Sequence, residues 1–218
     1  MNKSRKKLEK VWQEVPVDYY QQSVRKNILQ RRWHQGRLKA TLDFLKTFKD
    51  IHNQKVRLLD VGCASGWFIS EICSYYPHLK CSGVDVYQKA IEYAKKSYPH
   101  ISFFHNDAHH LPFQKNSFDI VICTNVLEHV VNPREVMKEI KRVVKRSGIV
   151  IIGMDSENLL FSFVWWLWKK FKGKIWAEAH LHKFRPRDLD KLFRQLGFKI
   201  KKKKFINLGM MVVYLLKK

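Results

Sequence analysis

Leu58-Leu-Asp-Val-Gly-Cys-Ala-Ser-Gly-Trp-Phe68 decides the fold class: an apolar run of strand length enters a turn of small residues and leaves it as a helix. Small residues let the backbone approach a ligand closely, and the helix N-terminus behind them favours its polar groups. Nineteen residues beyond Gly66, Asp85 sits in a second apolar run, Gly83-Val-Asp-Val86. A carboxylate there can accept both hydroxyls of a ribose. A glycine turn alone often only connects elements, but the turn and the acid together point to a nucleoside-bearing ligand. The spacing Gly62-Cys-Ala-Ser-Gly66 is G-x-x-x-G, not the G-x-G-x-x-G of nicotinamide dehydrogenases, which counts against hydride transfer.

Outward from this turn, apolar runs alternate with amphipathic stretches: Val56–Val61, Ile69–Tyr76, Cys81–Val86, Ala90–Ser97, Ile101–Phe104, Phe118–Thr124, Pro133–Lys145 and Ile149–Met154. Uniformly apolar, β-branched runs read as strands buried on both faces. Their alternation with helices predicts an α/β protein with a doubly wound, mostly parallel sheet. After Pro186–Leu196, a helix with Gly197 as its cap, Phe198–Ile206 and Met210–Leu216 read as an antiparallel pair and bring the sheet to seven strands. Before the first strand, residues 1–55 form a basic, helix-period extension with Leu38, Leu42, Leu45 and Phe48 as its apolar stripe.

The ordered motifs from residue 56 to 218 resemble the class I S-adenosylmethionine-dependent methyltransferases, and within them the methyltransferase type 11 group. The family's D-x-G-x-G-x-G is here Asp60-Val-Gly62-Cys-Ala64-Ser-Gly66, with Ala64 replacing the middle glycine. The resemblance implies S-adenosylmethionine as cofactor, with Asp60 and Gly62 at its methionine end and Asp85, beside Val86, at its ribose. It implies that Asp107 meets the adenine amino group and the Ala108 amide the ring. Asn125-Val-Leu-Glu-His-Val130 is similar to the family's strand-end segment beside the sulfonium, which brings in Asn125 and His129.

The acceptor is less legible. Amino-directed nucleic-acid methyltransferases carry a Pro-Pro-aromatic motif after the fourth strand, and the residues here are Thr124-Asn-Val-Leu127. Cys123 lies within an apolar strand, unlike the nucleophile of cytosine-C5 enzymes. Nucleic acid is therefore possible through the basic flanks but not favoured, and an inactive cofactor-binding protein is a further alternative. The stretch 156–185 reads as a substrate or membrane-surface insertion. It holds the apolar Leu159–Trp168, Trp176, and Lys169, Lys170, Lys172 and Lys174. An apolar block of ten residues cannot span a bilayer, which takes about 20, but Trp beside Lys suits a bilayer's polar boundary. The expected reaction is methyl transfer to an oxygen or nitrogen of a small amphiphilic or lipid-linked acceptor. Its general base is expected at His182, ahead of His129 and His180, since imidazole accepts protons near neutrality. Tyr19, Tyr20, Arg31, Arg32, His34 and Trp165 are candidates for holding the acceptor, with the arginines reading a phosphate.

Charge and cysteine content bound the rest. The 218 residues carry 42 Lys+Arg against 19 Asp+Glu, a net charge of +23. The first 57 residues hold +10, residues 58–168 balance, and residues 169–218 hold +13. A neutral centre between basic flanks separates binding to anions from the central chemistry and suggests peripheral contact with an anionic membrane. Cys63, Cys73, Cys81 and Cys123 form no C-x-x-C pair, so neither zinc nor a redox pair is expected. The expected compartment is the reducing cytoplasm, with contact at the inner face of the membrane.

Overall fold

In the computed structural model, residues 8, 11, 14–171 and 180–218 are described, without the side chains of 168–171. Lys172, Lys174 and Trp176 lie outside the described residues. Two helices, α1 (Tyr19–Lys26) and α2 (Ile28–Leu45), precede β1 (Arg57–Val61), α3 (Trp67–Tyr75), β2 (Lys80–Asp85), α4 (Gln88–Ser97) and β3 (Ser102–His105). Then come β4 (Phe118–Thr124), α5 (Pro133–Val143), β5 (Val144–Asp155), α6 (Leu159–Phe171), α7 (Pro186–Gln195), β6 (Lys199–Ile206) and β7 (Met211–Lys217). The seven strands order as β3-β2-β1-β4-β5-β7-β6, with β7 antiparallel to both β5 and β6 and the other pairs parallel.

Alternation of side chains through the sheet builds two cores. Leu58 and Ile120 face one side with Leu38, Phe44 and Leu45 of α2 and Ile69 and Ile72 of α3. Leu59 and Val121 face the other with Val136, Met137 and Ile140 of α5 and Leu189 and Phe193 of α7. Each fully buried aliphatic side chain contributes about 1.5–3 kcal/mol, so the layers on the two faces hold the sheet between them. The N-terminal helix α2 is one of those layers.

Local chemistry sets the helix ends. Asn27 caps α2 by accepting from Leu29 N–H and Gln30 N–H at 3.0 and 3.1 Å. Asn132 and Pro133 start α5, Pro186 starts α7, and Gly197 at φ +73° ends it. Two expectations are corrected. The buried residues of α2 are His34, Arg37, Leu38, Ala40, Thr41, Phe44 and Leu45, while Leu42 is only partly covered and Phe48 lies beyond the helix. Cys73 at the end of α3 and Cys81 at the start of β2 form a disulfide, with Cα atoms 6.9 Å apart. A helix end and a strand start meet only through the fold, which a search for C-x-x-C does not see.

Candidate functional site

The sheet's order reverses between β1 and β4, and their carboxyl ends open into a cavity of about 520 Å³. Sites for one small molecule span roughly 300–1,000 Å³ and favour this switch point in open α/β sheets. Gly62, Ala64, Asp85, Val86, Asp107, Ala108 and Asn125 line the cavity. So do Tyr19, Tyr20 and His129, together with Val15, Pro16 and Val17, which the sequence did not single out.

The turn after β1 needs its small residues. Gly62 has φ +77°, and a Cβ there would collide with the side chain of Val126. Ala64 is left-handed at φ +46°, held by its N–H donating to Asp85 Oδ2 at 2.8 Å. Asp85 Oδ1 accepts from Tyr87 N–H, also at 2.8 Å, so one carboxylate fixes both loops that rim the cavity. Each oxygen keeps a further lone pair for a ligand hydroxyl, so the site fits a ribose-bearing cofactor. Burial raises the Asp85 pKa, against the pull of these backbone N–H groups. Gly66 stands behind the cavity wall at φ +81°, where a Cβ would press on Phe103.

Asp107 is held by His109, a residue the sequence reading missed. Asp107 Oδ1 accepts from His109 N–H at 2.9 Å and from its ring Nδ1, while His109 Nε2 accepts from Asn132 N–H at 3.1 Å. These bonds fix the tautomer with the proton on Nδ1. An Asp followed two residues later by His was the available signal.

Beneath the cavity lies a buried charge cluster built around Arg37. Its guanidinium donates to Asn125 Oδ1 at 3.1 Å and lies 4.4 Å over the Phe68 ring. Asn125, left-handed at φ +54°, also donates to Asp155 Oδ1 at 3.4 Å. Asp60 borders a water-sized void of about 20 Å³ shared with Arg37 and Tyr20. Burial pushes Asp60 and Glu128 each up to about 7, with Arg37 opposing both, and raises Asp155 as well. Burial likewise pushes Tyr20 up to about 12. Arg37 sits four residues before Thr41 on the buried stripe of α2. An arginine in phase with core residues was the signal for it.

Several candidates stand elsewhere than expected. His182 does not line the cavity: its Nε2 meets the carbonyls of Val130 and Val131 at 3.0 and 3.3 Å, and its backbone N–H donates to the Glu128 carbonyl at 3.2 Å. It ties the returning chain to the segment after β4. His180 packs between the rings of His129 and Trp165, both at 4.8 Å, and burial lowers its pKa to about 3, so it stays neutral. Trp165 also stacks on Phe161 and does not face the cavity. His34 is buried against Tyr20 and Trp67, and burial lowers it to about 3. Arg31 donates to the carbonyls of Val24 and Arg25, where α1 meets α2, and Arg32 is exposed to solvent. Neither arginine lines the cavity, because Arg31 is spent on closing that corner and Arg32 points outward.

A family model described as "Methyltransferase domain" matches residues 59–152. A demethylmenaquinone methyltransferase of Staphylococcus haemolyticus is 32% identical over 180 residues, covering 72% of this chain and 75% of that protein. One of Thermotoga maritima is 26% identical over 161 residues, covering 66% and 70%. Among solved structures, a geranyl diphosphate C-methyltransferase of Streptomyces coelicolor superposes with a TM-score of 0.74 at 11% identity, over 99% of this chain and 98% of that one. Kinship at this identity and coverage, on a sheet of this strand order, makes the chain a member of the class I S-adenosylmethionine-dependent methyltransferases, with S-adenosylmethionine as its cofactor.

Proposed function

We propose that this methyltransferase acts on an oxygen or nitrogen of a small amphiphilic acceptor. The observation that carries the proposal is the make-up of the cavity wall. One end offers the carboxylates of Asp85 and Asp107, an apolar stretch of wall runs from Val15, Pro16 and Val17 to Val126, Val130 and Val131, and His129, Asn132 and Glu135 stand beside that stretch. The relatives named for demethylmenaquinone agree with an acceptor of this character.

Bound in the cavity, S-adenosylmethionine supplies an activated methyl group. Asp85 would accept from its ribose, Asp107 and the Ala108 amide would hold the adenine, and the turn from Asp60 to Gly66 would take the methionine end. Tyr19 and Tyr20 cover the acceptor and keep water away. His129, on the cavity wall, accepts the proton that an O–H or N–H acceptor loses, a contribution typically of 10²–10⁴-fold. Positioning supplies the remainder.

Incubation with methyl-labelled cofactor and a total lipid extract tests the proposal. Label is expected in a product soluble in organic solvent, with turnover cut about 100-fold or more in His129→Ala. Label confined to RNA or protein would refute the amphiphilic acceptor.

A further inference from the structure

Helix α6 is apolar on the wrong side. Phe161 and Trp165 point inward and stack on each other at 5.6 Å, the usual anchoring stripe. Yet Leu159, Phe163 and Trp166 are exposed at 92, 57 and 49%, and Ser162 is the one polar residue from Leu159 to Leu167. A surface helix normally turns charged residues outward.

Two other segments bring exposed apolar side chains to the same place. Trp33 of α2 contacts Phe161 at 6.4 Å, and one turn earlier on its face is Leu29, 72% exposed, beside Ile28. The turn between β6 and β7 completes the patch with Leu208, 84% exposed. That turn is tied in on both sides. Asn207 Nδ2 donates to the Trp33 carbonyl at 3.3 Å, and Asn158 Nδ2, just before α6, donates to the Gly209 carbonyl at 2.8 Å. Gly36 has no side chain to push Asn207 away.

Leu208 adds an independent observation. Asn207, Leu208 and Gly209 are all left-handed, at φ +51°, +57° and +79°. A leucine pays for that conformation with steric strain, and here it gains no burial in return. Cations outnumber acids around the patch, where Glu157 stands just before α6. No Asp or Glu occurs from Tyr19 to Leu42 or from Asn158 to Ala177, and Arg25, Lys26 and Arg32 stand exposed beside Ile28 and Leu29. In sequence, Lys169, Lys170, Lys172 and Lys174 follow the apolar part of α6.

We infer that the face formed by the start of α2, the exposed side of α6 and the Leu208 turn docks onto an anionic phospholipid surface. Apolar side chains enter the headgroup boundary and the cations meet lipid phosphates. Among the described residues no helix is long and apolar enough to cross a membrane.

Sedimentation of the full chain with vesicles tests this without cofactor or acceptor, so its failure would leave the methyltransferase reading intact. Retention is expected on phosphatidylcholine vesicles containing phosphatidylglycerol, not on phosphatidylcholine alone, and is expected to be lost at high salt. Arg25→Gln and Lys26→Gln should each weaken partitioning about fivefold. Leu208→Asn is the decisive variant, because asparagine tolerates the left-handed turn. It should melt no lower than the parent yet bind vesicles less. The inference is overturned if no vesicle retains the parent, or if Leu208→Asn and Leu159→Asp bind as the parent does. It is also overturned if the parent is a dimer that these variants split, since the face is then a contact between copies.

Discussion

Exchanging Arg37 for methionine removes one charge from a place where three carboxyl groups share it. Methionine keeps the length of the side chain and its contact with Phe68, so packing is largely preserved. What goes is the hydrogen bond to Asn125 and the field that opposes burial at Asp60, Glu128 and Asp155. Breaking a buried ionic cluster from one side costs about 3–5 kcal/mol. At about 2–4 °C per kcal/mol for a chain of this size, the melting temperature should fall by about 6–20 °C. The loss depends on pH, and its sign follows from the direction of the shifts. Asp60 and Glu128 have folded pKa values near 7, raised from an ordinary 3.8 and 4.5, so the folded state binds their protons more tightly than the unfolded. Their contribution is therefore full below pH 4 and is lost as pH rises through 7. Without Arg37 those pKa values rise further, so the variant keeps losing stability above pH 7 where the parent has levelled off. Thermal melts of both proteins from pH 5 to 9 measure this. A melting difference equal at pH 5 and pH 8.5 would refute the charge argument and leave Arg37 as packing alone.

Three further outcomes are expected. Asp85→Ala strips a partner from the Ala64 and Tyr87 amides and, on the proposed reading, from the ribose, so titration calorimetry with S-adenosylhomocysteine should show binding weakened by about 1–3 kcal/mol; unchanged affinity would remove Asp85 from the cofactor site. Gly62→Ala combines a left-handed φ with the collision against Val126, and should cost more than about 1 kcal/mol in urea unfolding as well as cofactor binding. His182→Ala should leave turnover within a few-fold of the parent while speeding amide exchange at Leu181, whose N–H is bonded to the Glu128 carbonyl; a hundredfold loss of turnover with exchange unchanged would restore His182 as the base.

The sheet was legible because a strand buried on both faces has to be apolar throughout, and Leu58-Leu59 and Ile120-Val-Ile122 have no other reading. The lining of the cavity was legible where backbone approach demands small residues, as at Gly62 and Ala64. Side chains brought together across the chain were not. Arg37 and Asn125 are 88 positions apart, and nothing local in either sequence announces their bond. The position of the His182 ring was hidden for a related reason. His182 lies near the site in the chain's path, but which way its ring points depends on the carbonyls of Val130 and Val131, set by the turn after β4. The α2 stripe was misphased because Leu42 and Phe48 are the more hydrophobic residues, while the interior holds His34 by its ring contacts and Arg37 by its bond to Asn125 and its place over Phe68.

Helix α2 joins the exposed apolar face to the cavity in a way that makes the two interdependent. Leu29 and Trp33 belong to the outer patch, His34 packs on Tyr20 of the cavity wall, and Arg37 holds Asn125, which itself lines the cavity. These positions span nine residues, about 12 Å of rigid helix. A shift of α2 on its outer face therefore moves Tyr20 and Arg37 with it, since neither has slack: Tyr20 is packed edge-on against both Tyr19 and His34, and Arg37 is pinned over Phe68. Docking of that face on lipid would steady the cavity wall where an amphiphilic acceptor enters. Anionic vesicles should then raise the affinity for an amphiphilic acceptor by more than the gain in local concentration, and Leu29→Asp should abolish that excess while leaving S-adenosylhomocysteine affinity in solution unchanged. If vesicles change acceptor affinity equally for the parent and for Leu29→Asp, the helix transmits nothing and the membrane only gathers substrate.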